Sequence, residues 1–144
     1  MSPLKRRVVQ AICYESIAIA VVTPALGWMF DEPLGSALAL SVAMSSVALS
    51  WNYLFNWAFE RWEARQVVRG RSLARRMAHG IGFEGGLALL LVPLVAHWLD
   101  VSYLHALITD LGLLLFFLVY TVVFTWVFDR IFGLPASALP KPLA

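Results

Sequence analysis

Two carboxylic acids stand inside long apolar stretches of this chain, Glu15 within Val8 to Phe30 and Glu84 within Met77 to Trp98. A helix of ~20 apolar residues crosses the ~30 Å hydrocarbon core of a bilayer. Glu15 comes eight residues after Arg7, which is ~12 Å deeper at ~1.5 Å per residue. An acid near the middle of a spanning helix costs roughly 2.5 to 3.5 kcal/mol, so it marks a functional position by default. Removal from water favours the protonated carboxyl, and a neighbouring cation favours the ionised one. One buried acid can therefore exchange a proton for a cationic solute, which is the minimum chemistry of an antiporter. The competing structural reading is an acid paired with an arginine, or one kept protonated as a hydrogen-bond donor. The rise from Arg7 to Glu15 disfavours such a pair, whereas His79 and nearby backbone offer Glu84 closer partners.

Other polar residues fall at the same depth. Asn52 and Asn56 are four apart, hence on one helical face, and Asn52 precedes Glu60 by the spacing that separates Glu15 from Arg7. Tyr120, Thr121, Phe124, Thr125, Trp126 and Asp129 occupy the matching offsets in the last apolar segment. Asn52, Asn56, Thr121 and Thr125 fit two roles equally, interhelical hydrogen bonds worth about 0.6 to 2 kcal/mol each or direct contact with a ligand. Trp51 and Tyr120 take matching positions beside this level, where an aromatic face can hold a delocalised cation or simply pack. The expected proton-coupling residues are Glu15 and Glu84. The expected substrate contacts are Glu15, Trp51, Asn52, Asn56, His79, Tyr120 and Thr121. His79, His97 and His105 are scattered and form no metal-ligand spacing; phosphate loops and nucleophile elbows are missing, so no cofactor, metal or enzymatic chemistry is expected.

Four segments must position these groups: Val8 to Phe30, Leu34 to Phe59, Met77 to Trp98 and Ala106 to Phe128. With 60% of 144 residues hydrophobic and 14% charged, and a mean hydropathy of +0.76, the chain has more apolar surface than a soluble domain can hide; the expected solvent is lipid. The first segment is too long for a signal-peptide core and no small-residue cleavage pattern follows it, so it is kept as a span. A single cysteine, Cys13, allows no internal disulfide. Lys5, Arg6 and Arg7 precede the first span, Arg61, Arg65, Arg69, Arg71, Arg75 and Arg76 separate the second from the third, and Arg130 and Lys141 follow the fourth. The connections Asp31-Glu32-Pro33 and Asp100 to His105 contain no Lys or Arg. The positive-inside rule then puts both termini and the middle connection on the cytoplasmic side and the two short turns outside. It also accounts for the net charge of +2 without nucleic acid. Trp28, Trp98 and Tyr103 suit the outer interface, and Trp57, Trp62 and Trp126 the inner one.

The chain also repeats itself. Arg7 and Arg76, Glu15 and Glu84, Pro24 and Pro93, Asp31 and Asp100, Trp57 and Trp126, Phe59 and Phe128, and Arg61 and Arg130 are each 69 residues apart. The expected fold class is an all-α integral membrane protein of four transmembrane helices, built as two tandem parallel two-helix repeats, 6–62 and 75–131, in a single membrane domain 1–144. An even number of spans per repeat sets both copies in the same direction across the bilayer. Pro24 and Pro93 suit either paired hinges or plain kinks. Gly82 and Gly86 form a small-xxx-small pair beside Glu84, suited to close helix packing. Ser36, Ala37, Ala39, Ser41, Ala43, Ser45 and Ser46 make a small-residue run suited to helix contact within or between protomers. Four short helices enclose little space, which favours a homodimer.

Arg76-Met-Ala-His79-Gly-Ile-Gly-Phe83-Glu84-Gly85-Gly86-Leu87, together with Trp51 through Glu60, resembles the third- and second-helix motifs of the proteobacterial antimicrobial compound efflux family. These are four-helix inner-membrane proteins with two tandem transmembrane pairs, and the resemblance runs from Arg6 to about Leu134. It implies proton-driven export of biocides such as chlorhexidine, acridines and quaternary ammonium compounds, with polyamines as candidate native substrates, and it implies that Glu15 is tied to proton coupling. Gln10 stands where the first-helix motif usually has His, Tyr14 where it has Phe, and Thr125 where the fourth helix often has Asn. A neutral glutamine cannot share a proton with Glu15. The readings from other classes are a non-transporting membrane subunit and a proton channel.

Overall fold

The computed structural model describes residues 2–68, 70 and 72–134; Arg69, Arg71 and Lys141, three of the basic residues behind the expected orientation, lie outside them. The chain forms α1 (Pro3–Phe30), α2 (Leu34–Ala64), α3 (Leu73–Leu99) and α4 (Tyr103–Phe132), with no strand among the described residues. Each helix is long and apolar enough to cross a membrane. All four run past the apolar segments, and in α1, α3 and α4 polar caps extend the start. The Ser2, Ser72 and Ser102 hydroxyls accept the backbone N–H groups of Lys5, Arg75 and His105 at 3.3, 3.3 and 3.1 Å, satisfying donors that a helix start leaves orphaned. The cap at Ser102 therefore starts α4 at Tyr103, inside the stretch assigned from the sequence to the connection Asp100 to His105.

The two short turns are built alike. Asp31 and Asp100 adopt left-handed backbone at φ 53° and 52°. The amide that follows each reaches back into its helix, Glu32 N–H to the Gly27 carbonyl at 3.1 Å and Val101 N–H to that of Ala96 at 3.0 Å. This closes α1 and α3 with the same C-terminal motif and folds each into an antiparallel pair with the next helix. α1 packs on α2, α3 on α4, and α2 on α3, whereas α1 and α4 touch far less.

The tight core lies toward these turns. Val22, Leu26, Ala37, Leu40, Met44, Leu91, Val95, Ala96, Leu99 and Ala106 form one cluster, in which alanines let backbones approach. A buried polar chain ties α1 to α2: Thr23 Oγ1 donates to Ser41 Oγ at 3.1 Å, and Ser41 Oγ to the Ala37 carbonyl at 2.9 Å. Ala37, Ser41 and Ser45 of the small-residue run are thus used inside the protomer. Leu89, Leu115, Val122 and many other large apolar side chains point outward. Water would penalise such a belt and lipid accepts it. At the opposite, basic end, Arg61 lies over Trp57 and Arg130 over Trp126 at 4.7 and 4.8 Å, so charge and ring anchor α2 and α4 alike.

A left-handed non-glycine residue costs about 1 to 2 kcal/mol. Replacing Asp31 or Asp100 by glycine should raise the midpoint of thermal unfolding in detergent, by up to about 1 kcal/mol of stability. Asp31→Val should lower it, because a branched side chain tolerates this conformation worst.

Candidate functional site

Below the core, toward the basic end, all four helices line a cavity of about 340 Å³. Each contributes polar groups to its wall: Glu15 from α1, Ser41, Ser45 and Asn52 from α2, Glu84 from α3 and Asp110 from α4. Most of the remaining lining is apolar, with the Tyr14, Phe83 and Phe117 rings among it. The depth argument from Arg7 and Glu60 thus brings Glu15 and Asn52 to one chamber, and Glu84 joins them.

The two glutamates are held differently. The Ser45 hydroxyl donates to Glu15 Oε2. In the repeat register Ser45 corresponds to Leu114, which cannot donate. Among the described residues the Glu84 carboxyl has no hydrogen-bond partner, and it interacts electrostatically with Asp110. Asp110 corresponds to Ser41 of the first half. The cavity therefore has one acid that accepts a neutral donor and two more, Glu84 and Asp110, on the paired helices α3 and α4.

Asp110 escapes the motif reading because it has no acidic counterpart in the first half and sits seven residues into α4, close to the turn. The signal that finds it is the one that finds Glu15, a carboxylate within an apolar span. Ser45 is lost in the small-residue run; nothing in its own spacing announces a contact with Glu15.

The other expected site residues lie around the chamber rather than in its wall. His79 Nε2 and Asn56 Oδ1 are 2.8 Å apart, and the Asn56 amide also donates to Asn52 Oδ1 at 3.2 Å. The Phe55 and Phe59 rings flank His79 at 5.3 and 4.8 Å. This strip joins α2 to α3. On the other side, Thr121 Oγ1 lies 2.8 Å from the Tyr14 hydroxyl. The Trp51 indole donates to the Phe83 carbonyl at 2.9 Å, and the Tyr120 hydroxyl to the Tyr14 carbonyl at 2.8 Å. Gln10, in the register position of His79, accepts from Arg6 at 3.3 Å. Arg6 pairs with Asp129 and donates to the Gly133 carbonyl at 2.9 Å, drawing α1 to α4 at the basic end. The corresponding Arg75 turns instead to the Gly70 carbonyl at 2.8 Å.

A family model described as chlorhexidine efflux transporter matches residues 2–65 and again 71–134. The short-chain diamines transporter of Acinetobacter baylyi is 39% identical over 127 residues, covering 88% of this chain and 89% of that protein. The protein of the same name from Acinetobacter baumannii is also 39% identical over 127 residues, covering 88% of each. That from Vibrio parahaemolyticus is 33% identical over 125 residues, covering 87% of this chain and 89% of the relative. No solved structure matches the chain.

Two adjacent glycines on α3 separate packing from backbone effects. A Cβ on Gly86 would overlap the Trp51 indole, whereas one on Gly85 meets nothing within 4 Å. Gly86→Ala should lower thermal stability by about 1 to 3 kcal/mol through overpacking. Gly85→Ala should leave stability unchanged within about 0.5 kcal/mol or raise it slightly.

Proposed function

The chain belongs to the chlorhexidine efflux transporter family, as a multi-pass bacterial membrane transporter and not an enzyme, and from that premise we propose that it exchanges protons for organic cations at one intramembrane acid site. Glu15 binds either a proton or the cation. Glu84 and Asp110 add two further carboxyls to the same cavity, and Asn52 adds a neutral polar contact. The basic ends of the helices face the cytoplasm of the inner membrane. The units 6–62 and 75–131 are the two bodies that move, and two protomers work together.

The single observation that carries this reading is that three carboxyls, Glu15, Glu84 and Asp110, line one largely apolar cavity within the spans. Unpaired charges cannot persist in such a place. The acids hold protons when the cavity is empty and exchange them for positive charge when a cation enters. Lipophilic biocides suit the apolar walls. The relatives carry the name short-chain diamines transporter, and a diamine presents two positive charges for which this chain supplies more than one carboxyl.

In proteoliposomes, adding chlorhexidine or a short-chain diamine should drive proton efflux from an acid lumen, and Glu15→Gln should abolish it. Proton leakage without substrate would show a channel instead. Asp110→Asn should weaken binding of a short-chain diamine by about tenfold or more, equivalent to ~1.4 kcal/mol, and that of a singly charged quaternary ammonium compound about threefold or less. Equal losses for both would contradict a two-charge site.

A further inference from the structure

Two of the hydrogen bonds described above are copies of one another. Trp51 to the Phe83 carbonyl joins α2 to α3, and Tyr120 to the Tyr14 carbonyl joins α4 to α1. Trp51 and Tyr120 are 69 residues apart, and so are Tyr14 and Phe83. In each half the acceptor belongs to the peptide unit whose nitrogen is that of the acid, Glu84 or Glu15. A helical carbonyl already accepts an N–H from four residues on, and its second lone pair is free for the ring donor. Neither ring lines the cavity.

The rings themselves differ between the halves. Trp51 lies where a Cβ on Gly86 would overlap it, and the position corresponding to Gly86 is Ile17. The helix that receives the larger ring, Trp51, carries glycine at this position, and the helix that receives the smaller one, Tyr120, carries isoleucine. Packing has changed while the donor and its target have not. The hydrogen bond is therefore what the two halves have in common.

We infer that Trp51 and Tyr120 are positioning residues, which fix the rotation of α3 and α1 about their axes so that Glu84 and Glu15 face the cavity. Turning α1 by one residue, ~100°, carries the Tyr14 carbonyl away from Tyr120 and the Glu15 carboxyl away from the chamber together. The hydrogen bond and the orientation of the acid are one constraint. This assignment rests on the exchange reading above. It replaces a cation-holding role for the two rings with one exerted through the glutamates.

The test is binding of benzalkonium, a cation of fixed charge, to the full chain in nanodiscs at about pH 6 and about pH 8, bracketing neutrality. The titratable groups lining the cavity are Tyr14 and Glu15 on α1, Glu84 on α3 and Asp110 on α4, with α2 supplying none; Cys13, His79 and Tyr120 lie beside it. A Glu15→Gln background therefore isolates the contribution of Glu15. Tyr120→Phe removes one oxygen and should lower affinity at the higher pH about three- to thirtyfold, the range of an intramembrane hydrogen bond. The weak binding at the lower pH should stay unchanged, and the Glu15→Gln background should show no further effect. Trp51→Phe should act in the same direction, and Trp51→Tyr, which keeps a ring donor, should restore the wild-type ratio. A wild-type pH ratio in Tyr120→Phe overturns the assignment. So does an equal loss at both pH values that persists in Glu15→Gln, which marks a purely structural role. A wild type whose binding ignores pH overturns the exchange reading first and this assignment with it.

Discussion

A carboxyl inside a bilayer must be neutralised by a proton, by a cation or by a permanent partner, and the proposed exchange gives Glu15 the first two in turn. Among the described residues its side-chain hydrogen-bond partner is the Ser45 hydroxyl, which carries no charge. At that helix end Arg6 is committed to Asp129 and to the end of α4. The proposed exchange leaves the cost of ionising Glu15 for a solute to offset. Cavity shape, apolar walls and the extra acids in the chamber all act on that unfilled requirement.

Duplication supplies the frame, and divergence between the copies supplies the difference in chemistry. The left-handed caps at Asp31 and Asp100, the Trp–Arg anchors at the basic end and the ring-to-carbonyl bonds beside both glutamates recur in each half. The immediate environments of the acids do not recur. Serine against leucine, and serine against aspartate, leave Glu15 hydrogen-bonded and add a second acid to the half that carries Glu84. Arg6 ties α1 to α4, whereas its counterpart Arg75 stays with its own connection. Together with the sparse contact between α1 and α4, this leaves that seam to a few polar bridges and to the Tyr14 ring packed on Tyr120 and Phe124, while α2 and α3 make closer contact along their length. A pair of rigid units moving about such a seam fits the parallel-repeat transporters.

Much of this was legible in the residues. Apolar length marked four spans, the 69-residue register paired them, and equal offsets from Arg7 and Glu60 set Glu15 and Asn52 at one level. Those signals come from lipid and helix geometry, which act on each residue separately. The contacts that cross between helices were less visible. Ser45 reads as one small residue among many, and only the crossing of α1 over α2 turns it toward Glu15. Asp110 was obscured by the repeat itself, since matching halves directs attention to what is shared. Spacing sets Trp51 and Tyr120 beside the polar level, but an indole or phenol near a cavity has two faces and one donor. Sequence spacing does not say which of them the protein uses; the carbonyls of Phe83 and Tyr14 do.

The claim at the centre is that a proton and an organic cation cannot occupy Glu15 together. The most direct measurement is a count of protons released when a fixed-charge quaternary ammonium compound saturates the purified protein in weakly buffered solution near neutral pH. The account predicts release of protons in proportion to cation bound, with that release lost in Glu15→Gln. Saturable binding with no proton released at any pH from mildly acidic to neutral would contradict it.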